Sequence, residues 1–238
     1  MHNRIITPLG RQFYLVLSDG TKAWLNAGSS LHYPVQFAAN ERRIEITGEV
    51  YLEVSRENNR PFYVQVKDQG TVRSMGTSFN INAYEDEAVV STTLLEGAVE
   101  VVTAAQLSSA LPEKVMLQAG QQAQVARTGA AAVPASPNNK VLSSSSIRVI
   151  SNVDTDKVMA WKNGVFNFDQ ADLQQVMKQL ARWYNLDIEY QQGIPNMRFG
   201  GKMSRDLKLA QVLDFLEATG VRFRMEEKGK LIVLPKEK

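Results

Sequence analysis

Ile44-Glu45-Ile46-Thr47-Gly48-Glu49-Val50-Tyr51-Leu52-Glu53-Val54 is the stretch on which the fold turns. Apolar residues hold every even position except Gly48, and three glutamates stand between them. A period of two puts one set of side chains on each face of an extended chain, whereas a helix would scatter the same residues around its axis. The stretch predicts a long, half-buried β-strand with a glycine at its centre.

Outward from it the alternation recurs in Phe62, Val64 and Val66 and in Phe79, Ile81 and Ala83. No amphipathic helical stripe interrupts residues 1–127, so this half reads as all-β. A looser repeat of strand, glycine and strand is seen in Leu17-Ser18-Asp19-Gly20-Thr21, in Leu95-Glu96-Gly97-Ala98-Val99 and in Leu117-Gln118-Ala119-Gly120-Gln121. Together with Gly48 and Gly76, these glycines are spaced 28, 28, 21 and 23 residues apart. Such periods suit a β-solenoid with one corner per turn. A β-sandwich with hairpins at the same glycines is the alternative.

Residues 128–157 change character, with Pro134, Pro137, Asn138, Asn139 and the serines Ser143 to Ser146. They read as a linker carrying one strand at Ile147 to Ile150. From residue 158 to 238 the period becomes helical. Val165, Phe166 and Phe168 form a strand, and Asp169 is placed to cap a helix striped by Leu173, Val176, Met177 and Leu180. Leu186, Ile188 and Tyr190 make a strand, followed by another from Met197 to Met203. A second helix, capped by Ser204 or Asp206 and striped by Leu209, Val212, Leu213 and Leu216, stops at Gly220. Val221, Phe223 and Met225 then pair with Leu231 and Val233. The expected order is β-α-β-β-α-β-β, a small α+β domain with both helices on one face of a mixed sheet.

Composition narrows the function. The 238 residues carry 27 basic and 25 acidic side chains, a net charge of +2, with the signs interspersed. A nucleic-acid partner needs basic residues gathered on one surface. Here the densest pair, Arg42 and Arg43, is flanked by Glu41 and Glu45, so no nucleic-acid binding is expected. The absence of cysteine removes disulfides, thiolate metal sites and thiol catalysis. No run approaches the ~18 apolar residues of a membrane span, and no charged-then-apolar leader opens the chain. The chain reads as a soluble fragment of a longer protein.

Leu17-Ser18-Asp19-Gly20-Thr21, Leu25-Asn26-Ala27-Gly28-Ser29, Tyr33-Pro34 and Arg43 resemble the opening of the FecR domain. Gly48 to Val54, Arg60-Pro61-Phe62, Gly76-Thr77-Ser78-Phe79-Asn80-Ile81, Leu95-Glu96-Gly97 and Leu117-Gln118-Ala119-Gly120-Gln121 continue it in the same order. Trp161-Lys162-Asn163-Gly164, Phe168, Leu173, Leu180, Arg182-Trp183-Tyr184 and Leu213 resemble the C-terminal domain of FecR-like proteins of the Bacteroidetes type, which is similar to the secretin and TonB short domain. The resemblance implies the periplasmic sensor region of an inner-membrane anti-sigma regulator. In that family the sensor meets the signalling domain of a TonB-dependent outer-membrane transducer. An extracytoplasmic-function sigma factor is held by a cytoplasmic segment beyond a membrane span, both expected outside this chain.

Residue chemistry agrees with a non-enzyme that needs no cofactor. The two histidines, His2 and His32, lack partners for a metal site or triad, and His32 reads as a turn residue before Tyr33-Pro34. Glu49 and Glu53 lie about 13 Å apart along a strand, beyond either glycosidase geometry, and read as a solvated face. Glu85, Asp86 and Glu87 lack the alternating ligand spacing of a calcium loop. Arg182-Trp183-Tyr184 reads as core before interface. Partner binding is expected by strand addition at sheet edges, with Val165, Phe166 and Phe168 or Leu231, Ile232 and Val233 as the candidates. The rival reading is a carbohydrate-binding or carbohydrate-active β-solenoid using Trp24, Tyr33 and Tyr51.

Overall fold

The structure is a computed structural model that describes residues 1–67, 69–104, 112–127, 147–194 and 196–234. Most of the expected linker, residues 128–146, lies outside the described residues. Two compact units are present: residues 1–7 with 12–158, and residues 8–11 with those from 159 onward.

The first unit contains β1 (His2–Ile6), β2 (Phe13–Val16), β3 (Lys22–Leu25), β4 (Ser30–Pro34), β5 (Arg42–Glu53), β6 (Phe62–Val66) and β7 (Gly70–Ser74). It continues with β8 (Ser78–Ala83), β9 (Val89–Glu96), β10 (Ala98–Thr103), β11 (Lys114–Gln118), β12 (Gln122–Ala126) and β13 (Ile147–Ile150). β5 is the alternating stretch, and it organises the rest. Its first half pairs with β4 and β6, its second half with β3 and β8. One layer therefore runs β1-β4-β5-β6-β7-β10-β11 and the other β2-β3-β5-β8-β9-β12-β13, joined as a single 13-stranded, nearly closed, barrel-like sheet. The change of partners falls at Gly48, whose φ is +74°. A Cβ there would stand 2.7 Å from the Ser29 Cα, so only glycine fits.

The even positions of β5 face inward. Ile44, Ile46, Val50 and Leu52 meet Leu25, Leu31, Phe62, Phe79, Ile81 and Leu94 in one core. Each such side chain contributes about 1.5–3 kcal/mol by leaving water.

The solenoid expectation is overturned. Coils of a solenoid stack in parallel, whereas in this sheet only β5 with β6 is parallel and every other ladder is antiparallel. Short glycine turns leave no length for a parallel crossover. Gly97 and Gly120 instead carry the chain from one layer to the other.

A short helix, α1 (Thr155–Met159), precedes the second unit's sheets. There follow β14 (Val165–Asn167), β15 (Ala171–Asp172), α2 (Leu173–Tyr184), β16 (Asp187–Tyr190), β17 (Arg198–Phe199), β18 (Lys202–Ser204), α3 (Leu209–Glu217), β19 (Arg222–Met225), a 3₁₀ turn (Glu227–Gly229) and β20 (Lys230–Leu234). In place of one mixed sheet there are three small ones: β14-β18, β15-β17 and β16-β20-β19. The core gathers Phe166, Phe168, Leu173, Val176, Met177, Leu180, Val212, Leu216, Leu231 and Val233.

Both helix starts fall later than expected. Asp172, not Asp169, caps α2: its Oδ1 accepts the Gln175 N–H at 2.8 Å while Gln175 Oε1 accepts the Asp172 N–H at 3.1 Å. The cause is β15, which pairs with β17 and keeps the chain extended up to Asp172. Lys208 precedes α3 and donates its N–H to Gln211 Oε1 at 3.0 Å. Ser204 and Asp206 close a turn of their own.

Candidate protein-interaction surface

Strand addition needs backbone donors and acceptors that no neighbouring strand uses. The two predicted strands meet that need unequally. β14 pairs with β18 on one side, but Phe166 and Phe168 are fully buried, with their rings stacked 5.5 Å apart. Val165 is half-buried. The Arg205 guanidinium lies 4.8 Å from the Phe166 ring and 4.9 Å from that of Trp183, whose Nε1 donates to the Arg205 carbonyl at 2.8 Å. Tyr184 donates its hydroxyl to the Leu207 carbonyl at 2.7 Å, and burial holds its pKa up. Trp183 and Tyr184 thus pack against this core.

β20, expected at an edge, is not an edge strand. It is the middle strand of its sheet, parallel to β16 on one side and antiparallel to β19 on the other. Its backbone is committed on both flanks, and Leu231, Ile232 and Val233 are all buried. Being last in sequence did not make it outermost, because β16, some forty residues earlier, pairs along its far side.

The outer strands of that sheet are β16 and β19, which the sequence reading did not single out. β16 exposes Asp187 and Glu189; β19 exposes Arg222, Arg224 and Met225. The Glu189 carboxylate accepts from Lys230 Nζ at 2.6 Å, which lowers the Glu189 pKa and raises that of Lys230. Arg224 reaches Glu226 at 3.3 Å. One visible signal was the parity of Arg222 and Arg224 around Phe223, which puts both guanidinium groups on one face.

In the first unit, charge is drawn inward in two places. Arg42, fully buried, donates from Nη1 to Asp19 Oδ2 and to the Ser55 carbonyl, each at 2.8 Å, and from Nε to the Arg60 carbonyl at 3.0 Å. Asp19 also accepts from the Thr21 N–H and hydroxyl. This network fixes the 17–21 turn and the 55–60 return to β6. Arg42 and Arg43, the densest basic pair of the sequence, are thus divided between inside and outside, Arg42 sharing the parity of Ile44 and Ile46. Arg43 stays outside against Glu41 at 3.1 Å, which holds the Glu41 pKa down.

Glu49 is the second case. It is buried, accepting from Asn26 Nδ2 at 2.8 Å and Asn80 Nδ2 at 3.1 Å, and so is not the solvated group expected. Glu53 is half-buried beside Lys22 at 3.2 Å. His32 sits in β4 rather than a turn, exposed, with Nδ1 3.9 Å from Glu45. A polar cleft of 630 Å³ lies beside it, lined by Arg4, Glu45, Lys67, Tyr84 and Glu85 among others. Among the described residues, no cluster of three or more His, Asp or Glu could hold a metal ion.

Of the three aromatics expected for sugar binding, Trp24 and Tyr51 have rings 5.4 Å apart, in a row that Tyr14 rather than Tyr33 extends, 4.8 Å from Trp24. Tyr51, however, is buried, and Trp24 and Tyr33 are half-buried, so the three do not make an open platform.

Residues 3–100 match the FecR protein family model, and residues 165–234 match that of the FecR C-terminal domain. The two matches stand in the expected order and together span most of the chain. This chain belongs to the FecR family. Two crystal structures, each of a candidate anti-sigma factor from Parabacteroides distasonis, superpose on it with TM-scores of 0.79. They are 27% and 26% identical, and each comparison covers at least 99% of this FecR-family chain and 100% of the other. No curated protein matches it.

Proposed function

We propose that this chain is the periplasmic sensor portion of an inner-membrane anti-sigma regulator. In this reading it receives a signal by contact with the signalling domain of a TonB-dependent outer-membrane transducer, and it controls an extracytoplasmic-function sigma factor through a segment outside this chain. The carrying observation is the pairing of a FecR unit with a FecR C-terminal unit, aligned end to end with candidate anti-sigma factors. A regulatory, non-enzymatic role suits the side chains: Glu49 is held by two asparagines and Arg42 is walled in. Chemistry on a substrate needs reachable groups, whereas contact signalling needs a stable body with a reachable edge. Among the described residues no helix is long and apolar enough to cross a membrane.

The test is titration calorimetry of the purified chain against the signalling domain of the transducer whose gene neighbours its own. Saturable one-to-one binding, with a Kd on the order of micromolar, is expected. Absence of binding to that domain, with full sigma-factor control surviving deletion of residues 165–234, would defeat the reading.

A further inference from the structure

The free edges of the three-stranded sheet differ in charge: acidic Asp187 and Glu189 on β16, basic Arg222 and Arg224 on β19. We infer that β19 is the docking edge, and that it takes an extended protein segment in which acidic and apolar residues alternate. The inference rests on the protein-contact reading above and adds the place and chemistry of the contact.

Backbone phase comes first. The Glu226 N–H donates to the Lys230 carbonyl at 2.8 Å, and Arg224 stands opposite Ile232 and Arg222 opposite Leu234. Bonded and non-bonded pairs alternate along an antiparallel ladder. Arg222 and Arg224 therefore turn their backbone groups toward β20, while Phe223 and Met225 turn theirs to the open side. The Phe223 N–H is met there by Glu217 Oε1, at 3.3 Å from the exposed last residue of α3. That long bond to a flexible side chain holds the place a carbonyl of an added strand would take.

Side chains then set what can be added. Arg222 and Arg224 stand about 7 Å apart on one face, so acidic residues two apart on the incoming strand fall opposite them as cross-strand pairs. On the other face Phe223 is half-buried and Met225 is 46% exposed, which suits apolar residues between the acidic ones. β16 fits less well, because Ile188 and Tyr190 are both half-buried and offer no counterpart to the exposed Met225; on charge the two edges do not differ in this respect, Glu189 being paired with Lys230 as Arg224 is with Glu226. In the first unit β2 exposes Phe13, Tyr14 and Val16, but it carries no charge that would name an occupant. Charged side chains also deter edge-to-edge aggregation. Docking differs from deterrence in that the sign of the incoming charge must matter.

Two arms test this on the whole chain. In the first, a capped peptide alternating glutamate and valine is titrated into ¹⁵N-labelled protein, beside a lysine and valine peptide. Amide shifts centred on Phe223 and Met225, with the acidic peptide at least about tenfold tighter, are expected; shifts elsewhere, or equal binding of both, overturn the proposal. The second arm uses the transducer signalling domain with Met225→Pro, which removes no bond to β20, and with Arg222→Glu/Arg224→Glu. Each is expected to weaken binding about tenfold. Unchanged affinity in both variants overturns the edge while leaving the functional reading intact. A chain that takes the acidic peptide at β19 but no signalling domain keeps the edge and defeats the functional reading.

Discussion

β5 and α2 are each twelve residues long, and they satisfy their backbones in opposite ways. α2 closes its own hydrogen bonds and ends them locally, with Asp172 and Gln175 at one end and Asn185 in the left-handed region at the other. β5 closes none of its own: β3, β4, β6 and β8 supply the partners along its two halves. The helix is thus a local object that packing then uses, whereas the strand exists only once four others arrive. Damage at β5 should spread through both layers of the first unit, and damage at α2 should stay within the second.

The sharpest way to break that contrast is Arg42→Met. It leaves Asp19 buried without its cation, and a loss of about 3–5 kcal/mol from the first unit is expected in urea unfolding. The second unit, followed by hydrogen exchange in α2, should hold its protection. Adding Asp19→Asn to that variant should recover part of the loss, since the stranded carboxylate is then removed.

Leu52→Ala and Leu180→Ala empty fully buried sites of the same chemistry, at roughly 2–5 kcal/mol each. Their footprints should differ: faster amide exchange in both β3 and β8 for the first, and in the second unit alone for the other. Spread of the Leu180→Ala effect into β8 would erase the distinction.

A smaller loss, about 1 kcal/mol, is expected for Asp172→Ala through the cap of α2, read from helical circular dichroism on melting.

The smallest effect concerns acid. Glu57 accepts from Arg60 at 2.7 Å, and Arg42 stands near, so its pKa lies below the ordinary 4.5. A carboxylate whose pKa is lower folded than unfolded stabilises the fold above its unfolded value, and that part is lost as pH falls below 4.5 through the folded value. Glu57→Gln should flatten the acid limb of first-unit stability slightly, measured by unfolding between neutral pH and the acid range.

The same contrast explains what was legible. The stripe of α2 and the alternation of β5 are written in consecutive residues, and the structure contains both. The burial of Arg42 was readable from its parity with Ile44, but a charged residue invites a surface assignment unless its partner, Asp19, is known to sit opposite. The start of α2 is not legible locally because β15 exists only through pairing with β17, which sets Ala171 opposite Phe199, 28 residues further along the chain. The central place of β20 was hidden for the same reason. So was the membership of Pro8–Arg11 in the second unit, where the Gly10 N–H donates to the Arg182 carbonyl at 2.9 Å.

Since one covalent strand runs through both layers of the first unit, neither layer can slide over the other without tearing ladder bonds from β5. Two sheets joined only by side chains could shear like stacked plates. This one should behave under load as a stiff beam, passing a tug at one rim to the opposite rim with little give.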